Sequence, residues 1–205
     1  MNKIGLHGKF EQINEDFLNE TFDVFALLED IQKKYGKTDN DTIINEARDA
    51  KVAQVLGYNN INTDKHGWDA KADTEEFLEV KQASISSHSI GATFNDTTIE
   101  KTEEISKGNV TIALAVWSSL KDLLFVVHGK NAAIGEHLKQ KIIHSKANNA
   151  IRPGTQSITM KDLIVKFGFK VRPVSMSKEE ITNTMYSKMK TLNKIIDKIP
   201  FDDEL

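Results

Sequence analysis

Eight residues, Val110-Thr111-Ile112-Ala113-Leu114-Ala115-Val116-Trp117, form a nearly continuous apolar run. It is far too short to cross a membrane. It also lacks the polar alternation that would let one face meet water, so it reads as a strand buried on both faces. Leu123-Leu124-Phe125-Val126-Val127 is a second such run, after the polar link from Ser118 to Asp122. Strands of this kind need a sheet covered on both sides by helices. At 205 residues, one domain with a substantial core is expected.

The helices follow from periodicity. Phe10, Ile13, Phe17, Leu18, Phe22, Phe25, Leu28 and Ile31 recur at helical spacing, which predicts one or two helices ending near Gly36. A second helix is predicted over Thr42–Leu56, closed by Gly57 as C-cap. Further helices are expected at Ile99–Ser106, at Asn131–Ser145 with Ile134, Leu138, Ile142 and Ile143 inward, at Lys161–Phe167, and as one long element over Ser177–Ile199. Thr155–Met160 and Phe169–Val174 read as strands. The fold class is therefore α/β: a central mixed β-sheet, including a β-hairpin, flanked by helices. Residues 1–57 form an N-terminal helical segment suited to dimerisation, 58–175 the core and 176–205 a C-terminal helix of one domain.

Composition narrows the function classes. The chain has no cysteine, which excludes disulfides and thiolate zinc sites. Its six histidines show no metal-site spacing, and no Gly-rich phosphate loop is present. No signal-peptide h-region is recognisable, so a cytoplasmic location and no membrane partner are expected. The net charge of −3 conceals an asymmetry: residues 121–198 hold 15 Lys/Arg against 6 Asp/Glu, and residues 1–64 hold 7 against 12. A basic half beside an acidic one is what a face for phosphate needs.

The stretch from His66 to Lys81 carries the chemistry. It reads as a hairpin, with one strand around Trp68–Ala72, a turn at Asp73-Thr74 and a return from Glu76 to Gln82. Alternation along the return strand puts Leu78 and Val80 on one face and Glu79 and Lys81 on the other. Antiparallel pairing brings Asp69 beside Glu79. Two neighbouring carboxylates repel, and one tends to keep its proton. A hard divalent cation such as Mg²⁺, which takes one or two carboxylates with waters and phosphate oxygens, removes that conflict. With Lys81 to orient an attacking water, the set suits metal-assisted phosphodiester hydrolysis.

Asp69 followed by Glu79-Val80-Lys81 resembles the PD-(D/E)xK nuclease superfamily, which includes many type II restriction endonucleases. The likeness extends over about residues 64 to 130, and the interval between the acids is most similar to that of small dimeric restriction enzymes. Trp68 stands where the family usually has proline. The resemblance implies catalytic roles for Asp69, Glu79 and Lys81, Mg²⁺ (with Mn²⁺ as substitute) held by Asp69, Glu79 and the Val80 carbonyl, and products with a 5′-phosphate. Some members add a carboxylate from the helix before the hairpin. Glu46 is the first choice by chain order and Asp49 its rival; a surface Glu46 paired with Arg48 or Lys51 is the competing reading.

DNA contacts are expected on both sides of the motif. Lys65 and His66 enter directly into Asp69, within reach of the backbone. The segment from Gln82 to Thr98 is rich in Ser, Thr, Asn, Gln and His and has one charge, Asp96. Such groups read base edges or bind phosphate, and in the enzymes it resembles this segment supplies much of the base recognition. His88, Asn95, Asp96 and Thr97 are assigned to recognition, and Gln82, Ser84 and Ser86 lie nearer the backbone. The expectation is a type II restriction endonuclease acting on double-stranded DNA as a homodimer, because cutting both strands of a palindrome needs two sites related by a two-fold axis. The alternatives are a superfamily nuclease of repair, resolvase or phage type without sequence specificity, and a non-catalytic DNA-binding protein of the same fold.

Overall fold

A computed structural model describes residues 15–35, 40–60 and 67–202. The chain divides into two compact units, residues 1–45 and 46–205, so the division falls inside a helix rather than at Gly57. The first unit contains α1 (Glu15–Lys34), one helix rather than two. Phe10 and Ile13 lie outside the described residues. On α1, Phe22 meets Phe25 edge-to-face at 5.8 Å, and Phe22, Leu27 and Tyr35 are exposed. The helix α2 (Asn40–Leu56) starts in the first unit and continues into the second. Gly57 ends it with a φ of +75°, a conformation that costs glycine nothing.

The second unit is built on a six-stranded sheet in the order β1-β2-β3-β5-β6-β8. Its strands are β1 (Asn59–Asn60), β2 (Ala70–Lys71), β3 (Phe77–Ser84), β5 (Val110–Trp117), β6 (Leu123–Gly129) and β8 (Lys170–Pro173). β3 and β5 run parallel and the other neighbours antiparallel, so the sheet is mixed. Parallel neighbours need a crossover; here it consists of β4 (Gly91–Phe94) and α3 (Ile99–Ser106). β4 pairs with β7 (Gln156–Thr159) in a separate two-stranded ribbon.

All eight residues of β5 are buried. Ile112, Leu114 and Val116 face α3, α4 (Ala133–Ala147), α5 (Met160–Val165) and α6 (Lys178–Lys188), which supply Ile105, Leu138, Leu163, Ile181 and Met185. Ala113, Ala115 and Trp117 belong to the opposite layer, where Val52 and Ala53 of α2 cover Leu78 and Val80. This two-sided burial is why the strand's sequence does not alternate. A fully buried Leu or Phe contributes about 1.5–3 kcal/mol, so the sheet around β3 is a rigid platform.

Asn59-Asn60 is an edge strand, paired with Lys71 and Ala70. Two expectations need correction. Ile143 does not face inward but is 46% exposed. Helix α6 stops at Lys188, and a 3-10 turn at Leu192–Lys194 follows. A helix continued from Met189 to Ile199 would carry Ile199 about 15 Å onward. Instead the chain folds back: Ile199 is buried, Val171 donates to the Pro200 carbonyl and Asp202 donates to that of Val171. Residues 176–202 are thus part of the main core, and their last turn covers the β8 edge that would otherwise stay open.

Candidate active site

The hairpin forms as its alternation predicts. Ala70 pairs with Leu78 and Lys71 with Phe77, and the Ala72 N–H donates to the Glu76 carbonyl to close the turn. Asp69 stands just before β2, its N–H bonded to the Leu78 carbonyl at 2.9 Å. One of its carboxylate oxygens accepts from the Val80 N–H at 2.6 Å, taking the place of a strand partner. The N–H and C=O of a strand residue point to the same side. The Val80 carbonyl therefore shares this edge with Asp69.

Glu79 is 4% exposed. Its carboxylate accepts from Lys81 Nζ at 2.7 Å and from Lys101 Nζ at 2.9 and 3.1 Å. Burial pushes this carboxyl up, but the two ammoniums overcome that penalty and hold it below the usual range. Asp69 behaves in the opposite way. Burial and then the Glu79 charge raise its pKa, and the Val80 N–H and the lysines offset only part. One acid is thus held ionised beside another that resists ionisation. The register fixes this contrast, because Glu79 and Lys81 are locked opposite Ile112 and Leu114 of the buried β5.

A third carboxylate comes from α2, and it is Asp49. Burial first, then the charge of Asp69, push its pKa up to about 7, against a hydrogen bond from Gln82 and the charge of Lys81. Gln82 Nε2 donates to Asp49 at 2.7 Å, and Arg48 donates to Gln82 Oε1 at 3.1 Å. Arg48 also reaches the Leu120 and Ser119 carbonyls and lies 4.4 Å above the Trp117 ring. Glu46 sits half-buried about one turn earlier on the same helix. Asp49, the rival, is the acid coupled to Asp69.

Among the described residues, no group of three or more His, Cys, Asp or Glu side chains is arranged to hold a metal ion. The donors at the β3 edge are two carboxylates and a carbonyl. That set does not make a cage, but it fits a Mg²⁺-like ion, which keeps waters and borrows phosphate oxygens. The raised pKa of Asp69 comes first from its burial and then from the Glu79 charge beside it.

The residues assigned to DNA fare unequally. Lys65 and His66 lie outside the described residues. Ser84, Ser86, His88 and Asn95 are exposed, and the Ser84 and Ser86 hydroxyls bond each other at 2.7 Å. The Gln82 amide is engaged by Asp49 and Arg48 rather than directed to a DNA backbone. Asp96 is exposed but paired with Arg152 at 2.8 Å. Thr97 is only 6% exposed, with its N–H on the Gly154 carbonyl, so it has no free path to a base edge. Lys101 escaped the sequence reading. It sits in the first turn of α3, 4.9 Å above the Trp68 ring, and no motif spacing links it to Glu79. Comparison with known proteins finds no family model that matches this chain and no curated protein that does.

Proposed function

We propose that the chain is a Mg²⁺-dependent endonuclease that hydrolyses phosphodiester bonds in double-stranded DNA at a short sequence, in the manner of type II restriction enzymes. The observation that carries this reading is the meeting of Asp69 with Glu79 and Lys81 at one edge of β3, across ten positions of sequence. Asp69, Glu79 and the Val80 carbonyl would hold Mg²⁺, with Mn²⁺ as a substitute. The ion, when bound, supplies charge neutralisation and a more acidic water. Lys81, already directed at Glu79, orients the attacking water and stabilises the negative charge that develops on its oxygen. That oxygen bonds to phosphorus, the bond from phosphorus to the 3′ oxygen breaks, the 3′ oxygen takes up a proton, and the new end keeps a 5′-phosphate.

Recognition would rest on His88 and Asn95, with Ser84 and Ser86 beside them. A homodimer would bring two such edges to the two strands, and the exposed aromatic residues of α1 offer an apolar surface for it. A nuclease of the same chemistry without sequence preference is the second reading. It is favoured by the engagement of Gln82 and Asp96 and the burial of Thr97. Digestion of mixed plasmid DNA with Mg²⁺ followed by sequencing of the ends separates the two. One short palindrome at every cut supports the first reading, dispersed ends the second, and intact DNA neither.

A further inference from the structure

A second polar concavity lies away from the carboxylates. It has a volume of about 200 Å³ and is lined by His88, Ser89, Thr159, Lys161, Lys188 and Thr191 over a floor that includes Ile90 and Met160. Among the described residues, no carboxylate lines it. The nearest along the chain, Asp162, accepts from the Thr159 hydroxyl. Its two ammoniums are held by neutral acceptors: Lys188 Nζ donates to the Ser87 carbonyl at 3.2 Å, and Lys161 Nζ to Thr191 Oγ1 at 3.4 Å. Neither lysine makes an ion pair among the described residues, whereas Lys139, Lys107 and Arg152 are each paired with an acid. Two unneutralised cations and hydroxyls around one small concavity match the oxygens of a phosphodiester.

The position is fixed by β4. At one end, Phe94 lies under Lys81, whose Nζ is 5.4 Å from the ring centroid. At the other, Gly91 pairs with Thr159 on the wall of the concavity. Three strand intervals separate them, about 10 Å at the rise of a β-strand. A duplex carries phosphates all along its backbone, so one bound at the β3 edge extends past a concavity at that distance. We propose that it is a backbone clamp: Lys161 and Lys188 grip a phosphate of the same duplex and set its register on Lys81. This rests on the nuclease reading and adds a substrate-positioning site to it.

The test is salt-dependent binding of a 20-base-pair duplex to the full chain without metal, followed by fluorescence anisotropy. In the Lys161→Gln/Lys188→Gln variant the plot of log affinity against log salt becomes shallower by about one, and affinity at low salt falls about tenfold. Lys161→Arg/Lys188→Arg, which keeps the charge, restores both. Lys107→Gln/Lys139→Gln removes the same charge from paired lysines and leaves the slope at the wild-type value. Equal slopes in the pocket variant and wild type overturn the clamp, and so does an equal loss in the paired-lysine control. Inorganic phosphate that raises the melting temperature of wild type but not of the pocket variant, with duplex slopes unchanged, would reassign the pocket to a free phosphate. A wild type that binds no duplex removes the nuclease reading itself.

Discussion

The carboxylate of Asp69 accepts a 2.6 Å hydrogen bond from the backbone N–H of Val80. A side chain here does the work of a β-strand neighbour, and in doing so it is pinned next to Glu79. The same contact leaves Asp69 buried beside a second acid, which raises its pKa. The role proposed for Asp69 is therefore set against stability at this position.

Replacing Asp69 by Asn keeps an oxygen for the Val80 N–H and removes the penalised charge. The metal-free variant is expected to be more stable than wild type by about 0.5–2 kcal/mol. If the proposed site binds Mg²⁺ in the folded state alone, the ion is expected to raise the melting temperature of wild type and to leave that of the variant unchanged. Thermal denaturation with and without Mg²⁺ checks both statements.

Asp49 gives a pH signature. Its pKa rises from 3.8 to about 7 on folding, so the folded state holds a proton that the unfolded chain has already released. Its contribution to stability is complete below pH 4 and is lost as pH rises to about 7. The slope is at most about 1.4 kcal/mol per pH unit. Denaturant midpoints measured across that window should fall for wild type relative to Asp49→Asn, and the two curves should run parallel above pH 7.

Lys101 holds both oxygens of the buried Glu79. Lys101→Met leaves Lys81 as the remaining cation on that carboxylate. The loss is expected to destabilise the metal-free protein by about 1.5–3 kcal/mol. Under the proposed Mg²⁺ site, saturating Mg²⁺ is expected to recover part of it, because the ion would supply the missing charge. Urea titrations in EDTA and in Mg²⁺ measure the gap.

The helix that carries Lys101 is held by a close approach at Gly135 of α4. A Cβ there would stand 2.2 Å from both Ser106 Oγ and the Thr102 carbonyl oxygen. Gly135→Ala must push α3 and α4 apart. It is expected to cost about 1–3 kcal/mol, read from urea unfolding midpoints.

The sheet and the hairpin were legible because their signals are local. Unbroken apolar runs specify β5 and β6, and period-two alternation puts Glu79 and Lys81 on one face. Asp49 and Glu46 could not be separated, since residues three apart on a helix lie on neighbouring faces and only the docking of α2 decides between them. Lys101 was invisible because it is twenty-two positions from Glu79 and reaches it through the crossover. Thr97 lies in a polar stretch that reads as surface, yet its backbone is pinned to Gly154 and buried. Nothing between Ser177 and Ile199 breaks a helix in sequence. The end of α6 is imposed by the return of Ile199 and Pro200 to β8, a tertiary cause with no local mark.

The most direct measurement is the rate at which plasmid DNA is cut in Mg²⁺ by wild type and by Lys81→Ala. The expected result is cleavage by wild type and a loss of about a hundredfold or more in the variant, with no cutting by either in EDTA. Equal rates for the two proteins, or no cleavage by folded wild type in Mg²⁺ or Mn²⁺, would contradict the assignment of Asp69, Glu79 and Lys81 to phosphodiester hydrolysis.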